Sequence, residues 1–231
     1  MNQFDINYPR SQDRTIIAQN TLIRQVYAWM GAGLLVTALM AFFTISTPAL
    51  LNGVVGNRLV FYGLMFGELG LVVALSAAIN RLSATAATFM FIAYSALNGI
   101  TFSAIFLIYT ADSISSTFLI TAGMFGGMSA YGYMTRRDLT SWGSFLFMGL
   151  IGVVIASLVN IFMRSNSLSW IISCVGVIVF TGLTAYDTWK IKALAVGGAE
   201  GRKSAIIGAL TLYLDFINLF LMMLRLLGRR R

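Results

Sequence analysis

The first 24 residues are mostly polar, and from there on the chain turns apolar in long unbroken runs. An α-helix rises 1.5 Å per residue, so crossing a hydrocarbon layer of about 30 Å takes roughly 20 residues. Runs of that order fall at residues 26–47, 59–79, 84–109, 115–134, 142–163, 170–193 and 204–227, which predicts seven spanning helices. The strict alternation that marks a membrane strand is absent. The connections are short and carry turn or interface residues, among them Pro48, Asn52-Gly53, Asn80-Arg81, Asp112, Arg136-Arg137-Asp138 and Gly197-Gly198. The predicted fold class is therefore all-α: a polytopic membrane protein. A single seven-transmembrane-helix domain occupies residues 26–231, preceded by a polar N-terminal cytoplasmic segment over 1–25. Neither a repeat nor a low-complexity segment interrupts it.

Composition narrows the class. The 231 residues are 58% hydrophobic and only 10% charged, against roughly 25% charged residues in soluble domains, which excludes a water-soluble fold. The basic excess, 16 Lys and Arg against 8 Asp and Glu, falls between apolar runs and reads as a topology signal, so no nucleic-acid partner is expected. With the N-terminus cytoplasmic, Arg10, Arg14, Arg24, Arg81, Arg136, Arg137, Lys190, Lys192, Arg202 and Lys203 share that side, and only Arg58 and Arg164 lie opposite. Arg225 and Arg229 to Arg231 join the opposite side if the last segment crosses fully, and return to the cytoplasm if it is re-entrant; full crossing is adopted. The N-terminal segment lacks the apolar core of a secretory signal and is expected to be retained. Trp29, Trp142 and Trp170 lie near predicted helix starts, where indole rings favour the interface. Small residues at Gly63 and Gly67, and again at Gly123 and Gly127, predict close helix contacts. The lone Cys174 leaves no intramolecular disulfide or cysteine metal cluster, and no resident cofactor is expected. Histidine is missing, so proton sensing near neutral pH falls to carboxylates.

Three carboxylates stand inside spanning segments: Glu68, Asp187 and Asp215. An ionised carboxylate at a helix centre costs about 2.5–3.5 kcal/mol on insertion, and such groups face the bundle interior, a partner or water. Asp215 lies roughly 15 Å into the last helix, on a narrow stripe with Gly208, Thr211, Asn218, Met222 and Arg225. Asp187 lies roughly 10 Å before the loop joining the last two helices. Antiparallel packing would bring the two aspartates within about 5 Å in depth, close enough to pair; the simpler alternative for Asp187 is a pair with Lys190 three residues on. Two carboxyls in a poorly hydrated site cannot both ionise cheaply and share a proton. Deprotonated, they form a hard oxygen site suited to transient Ca²⁺, with Thr211 and Asn218 as helpers. Glu68, beside Gly67 and Gly70, is either a hydrogen-bonded acid in the bundle or part of an ion path. Arg81 either snorkels to the interface or forms a gating ion pair.

Soluble-type catalytic patterns are absent. An aspartyl intramembrane protease would use two membrane aspartates, but although Tyr186-Asp187 suits such an enzyme, Tyr213-Leu214-Asp215 lacks the glycines of its second motif. The chain is not expected to be an enzyme.

At Gly182-Leu-Thr-Ala-Tyr-Asp187-Thr-Trp-Lys190 and Leu210-Thr-Leu-Tyr-Leu-Asp215-Phe-Ile-Asn218-Leu-Phe220, the sequence resembles the transmembrane Bax inhibitor motif family, in its bacterial inner-membrane branch. The likeness extends through Met124-Phe-Gly-Gly-Met-Ser-Ala-Tyr-Gly-Tyr133 and covers nearly the whole chain. It implies a multi-pass protein of the bacterial cytoplasmic membrane acting as a pH-regulated calcium leak, with Asp187 and Asp215 as the proton-sharing gate and Ca²⁺ and protons as its ligands. It further implies that Glu68 matches an acidic position of the conducting path, and that a basic residue near the end of that helix locks the aspartates when closed. Arg81 is the basic residue nearby, about half a turn beyond the expected place, where Ile79 stands. Some relatives are linked instead to a membrane-bound AAA protease or to stress survival, which implies the alternative of a non-conducting regulator of another membrane protein.

Overall fold

The computed structural model describes residues 8–78, 82–196 and 201–231. Those residues form eight α-helices: α1 (Tyr8–Ser46), α2 (Pro48–Val54), α3 (Arg58–Ala78), α4 (Ala84–Ile108), α5 (Ala111–Met134), α6 (Thr140–Met163), α7 (Asn166–Val196) and α8 (Arg202–Leu227). Among them six are long and apolar enough to cross a membrane: α1, α3, α4, α6, α7 and α8. The 24-residue α5 falls outside that set. Its inward face carries Ser113, Thr117, Thr121 and Ser129, which lowers its hydropathy. The all-helical membrane architecture is as expected; seven spans are not established by length and composition.

Local chemistry accounts for the helix ends. Ser83 accepts a hydrogen bond from Ala86 N (3.1 Å) at the start of α4, and Thr110 does the same for Ser113 N (3.4 Å) at the start of α5, each satisfying an otherwise orphaned amide. α6 ends at Arg164 in the left-handed region, φ 50°. There Asn160 accepts from Ser165 N (3.0 Å) and donates to Ser169 Oγ (2.6 Å), turning the chain into α7. Lys192 of α7 caps α5 by donating to the carbonyls of Tyr133 (2.6 Å) and Thr135 (3.3 Å).

α8 is the hub. It is ringed by α1, α4, α5 and α7, while α6 packs outside α7 and α3 leans on α4. The polar stripe along α8 led us to expect one inward face. Instead Leu212, Tyr213, Phe216, Leu219 and Leu224 are buried along with Asp215, because a helix surrounded by protein buries its apolar faces too. The lipid-like exposure lies on the outer helices, as at Phe145 and Phe162 of α6.

Two expectations about α1 and the glycines change. The polar N-terminal stretch is helical from Tyr8 and runs on into the first span. Its Leu22, Val26 and Met30 recur every four residues and are buried, and Gln19 Nε2 donates to Lys192 O (3.5 Å). Trp29 therefore lies well inside α1, under the Arg202 guanidinium at 5.4 Å, whereas Trp142 and Trp170 do stand in the first turns of α6 and α7. Nothing packs within 4 Å of a side chain built at Gly63, Gly67, Gly123 or Gly127. The close approaches occur elsewhere: a Cβ on Gly99 would strike Thr37 O across α1 and α4, and one on Gly132 would strike Ala185 O across α5 and α7. Small-residue spacing marks where helices can approach, and the burial pattern decides where they do.

The C-terminal residues are tied down. Tyr109 and Arg230 form an antiparallel bridge, with Thr110 N donating to Arg229 O (3.1 Å) and Arg231 N to Ile108 O (2.9 Å). Arg229 N also donates to Ser113 Oγ (2.9 Å). α8 thus runs unbroken from the α7 side of the bundle to the turn between α4 and α5, with no re-entrant bend.

Candidate functional site

The antiparallel pair α7 and α8 sets the register that matters. A Cβ on Gly176 would meet Met222, and one on Gly208 would meet Ile191, so Asp187 stands level with the stretch near Thr211, and Asp215 lies roughly one turn, about 5 Å, deeper. Side chains on a helix lean toward its N-terminus. In antiparallel neighbours the two leans oppose: Asp187 leans inward, Asp215 leans back toward the loop, and the offset closes. The two carboxyl groups are close enough to act on one another.

Their surroundings differ. Asp215 is buried, with 5% of its surface exposed, and its Oδ2 receives no hydrogen bond from any described donor. Asp187 is half-buried and lines a cavity of about 260 Å³ together with Leu22 of α1, Lys190 and Leu194 of α7, and Ser204, Gly208 and Thr211 of α8. A carboxylic acid can donate to a carboxylate, so such a pair is chemically able to hold one proton between its two groups. Of the two aspartates, only Asp187 lines this cavity.

The helpers take other roles. Thr211 lines the same cavity, with its hydroxyl donating to Ile207 O (3.1 Å). Asn218 turns its amide back to Leu214 O (2.8 Å) and so spends its donor within α8. Lys190 holds its ammonium 5.8 Å from the Tyr186 ring centre, close enough to Asp187 to act on it electrostatically. Arg81 and Ile79 lie outside the described residues.

Glu68 belongs to a second polar cluster. It is buried on α3 and accepts from Thr101 Oγ1 of α4 at 2.5 Å. Gly67 and Gly70 beside it are open, with nothing packed on either. Further toward α1, the Tyr213 hydroxyl meets Thr37 Oγ1 at 2.7 Å, and Thr37 Oγ1 also lies 2.9 Å from Ser95 O. The Tyr213 ring packs edge-on against Phe91 and Tyr94, both at 5.8 Å. Tyr213, Thr37 and Tyr94 were missed by the sequence reading. Only Tyr213, two residues before Asp215, sat inside a motif that had drawn attention.

Among the described residues no group of three or more His, Cys, Asp or Glu is placed to hold a metal. Two carboxyls are a sparse donor set for Ca²⁺, which takes six to eight oxygens.

Apolar helices packed around a hub that carries a buried carboxyl pair define a polytopic helical membrane protein with ionisable groups in its interior. The chain belongs to the Bax inhibitor family, since the family model described as "Inhibitor of apoptosis-promoting Bax1" matches residues 19–231. It is 53% identical over 216 residues to the inner membrane protein YbhL of Escherichia coli K12, covering 91% of this chain and 92% of that protein. A protein of Borreliella burgdorferi is 46% identical over 224 residues, covering 95% and 97% of the two chains. An uncharacterized membrane protein of Streptococcus pyogenes serotype M1 is 37% identical over 217 residues, covering 92% and 94%.

Proposed function

We propose that this protein is a pH-sensitive calcium leak pathway in a bacterial cytoplasmic membrane, in which the Asp187 and Asp215 pair senses protons and gates flux. The observation that carries the reading is the meeting of a buried carboxyl lacking a donor with a second carboxyl that lines a cavity. As pH rises the shared proton leaves, the pair gains a second negative charge, and repulsion favours either separation of α7 from α8 or entry of a cation. A two-carboxylate site completed by water binds Ca²⁺ loosely, which suits passage better than storage. The reading assigns Thr211 to the cavity side of the path, and Glu68 and Asn218 to its continuation.

The same reading takes α5 as a seventh span. It is 24 residues long and packs against both α7 and α8. The distribution of Lys and Arg supports a cytoplasmic N-terminus. No catalytic step and no resident cofactor enter the reading; the ligands are Ca²⁺ and protons.

Reconstitution into liposomes loaded with a calcium dye tests it. Flux that rises with pH in the native protein, and that no longer responds to pH in Asp187→Asn and Asp215→Asn, is the expected result. Absence of flux at every pH would overturn the reading and leave the protein as a non-conducting regulator of another membrane protein, such as a membrane-bound AAA protease.

A further inference from the structure

A second hollow lies away from the aspartates, between α5, α6 and α7. It measures about 290 Å³, and its floor is apolar: Met128 of α5, Leu146 of α6, and Gly182 and Ala185 of α7. The mouth is different in kind. Arg137 stands there on the exposed connection between α5 and α6, and Tyr131, Trp142 and Tyr186 form the walls. Arg136 is exposed next to Arg137. The acid at the rim, Asp138, is already engaged by Thr140 N (2.8 Å) and Thr140 Oγ1 (2.5 Å). The hollow opens on the face where Trp142 is 62% and Phe145 68% exposed, the outer surface of a helix apolar enough to span a membrane.

Apolar floor, aromatic walls and a cationic mouth on a lipid-facing surface match one kind of molecule: an amphiphile with an anionic head. The geometry points to a binding site for an anionic phospholipid, with an acyl chain along Met128 and Leu146 and its phosphate at Arg137 beside Arg136. The lining follows from the sequence: the Tyr186 ring packs directly on Gly143 of α6, and Leu146 of α6 lies over Gly182 of α7. The site is independent of the ion pathway.

Trp142 is a built-in reporter. In the full chain with Trp29, Trp170 and Trp189 replaced by Phe, Trp142 is the sole indole of the four. The protein is reconstituted in phosphatidylcholine vesicles doped with brominated phosphatidylglycerol or brominated phosphatidylcholine. Quenching by the anionic lipid is expected at a several-fold lower mole fraction than by the zwitterionic one, and Arg137→Gln or Arg136→Gln is expected to reduce that preference about fivefold each. A companion protein keeping only Trp170, at the start of α7 and 63% exposed, is expected to show no preference. Native mass spectrometry of the unaltered protein with mixed lipids reads the same preference without tryptophan replacement. Equal quenching of Trp142 by both lipids, or an anionic preference untouched by both cation substitutions, overturns the proposal.

Discussion

The hydroxyl of Tyr213 on α8 sits 2.7 Å from Thr37 Oγ1 on α1, and the same Thr37 oxygen is 2.9 Å from Ser95 O on α4. Three helices thus meet at one buried oxygen. Tyr213→Phe keeps the ring against Phe91 and Tyr94 but removes the hydroxyl. It is expected to lower stability by about 1 kcal/mol, read as a drop in the thermal midpoint in detergent, with Tyr213→Ala costing several times more through the cavity it leaves.

The aspartate pair predicts a spectroscopic signature. If one proton is shared between Asp187 and Asp215, infrared spectra of the protein in bilayers will contain the carbonyl stretch of a buried protonated carboxyl that disappears as pH rises. Both Asp187→Asn and Asp215→Asn are expected to alter that band. A spectrum identical in native protein and Asp215→Asn would show that the pair holds no proton.

Helix approach gives a paired test. Gly132→Leu drives a side chain into Ala185 O, two residues before Asp187, and is expected to cost about 1–3 kcal/mol or more from overpacking. Gly123→Leu, on the same helix with nothing within 4 Å, is expected to leave the thermal midpoint nearly unchanged. Equal effects from the two would refute the close contact of α5 with α7.

At the α5 to α6 connection, hydrogen bonds from the Thr140 hydroxyl and amide hold the Asp138 carboxyl below the usual carboxylate range. A group whose folded-state value is depressed stabilises the fold fully above its unfolded value, near 3.9, and loses that contribution as pH falls through the folded one. Asp138→Ala is therefore expected to reduce stability slightly at neutral pH and to converge with the native protein in acid. A thermal-midpoint titration measures it, and the effect is small because Asp138 is fully exposed to solvent.

Much of this was legible in the chain itself. Unbroken apolar runs revealed the helices, and the depths of Asp187 and Asp215, counted from one loop, anticipated their meeting. What periodicity could not reveal was the place of each helix in the bundle. The stripe on α8 read as its one inward face, because a hub helix in a membrane protein and a lipid-facing one are both built of Leu, Phe and Met. For the same reason the Gly63 and Gly123 spacings looked like contacts although Gly99 and Gly132 make them. The polar start of α1 read only as a polar cytoplasmic segment, because its charges masked the four-residue recurrence of Leu22, Val26 and Met30. Tyr213 stayed hidden because a tyrosine among apolar residues announces a partner only once Thr37, 176 positions away, has been brought beside it.

The hub helix α8 is also the last of the eight in chain order. During synthesis the earlier helices enter the bilayer before the surface they are built to grip has left the ribosome. Thr37, Phe91 and Phe125 must wait with their inward faces unmatched until α8 arrives between them. Closure of the bundle therefore waits on the docking of α8, and chains stalled before residue 202 are expected to leave those inward faces unmatched.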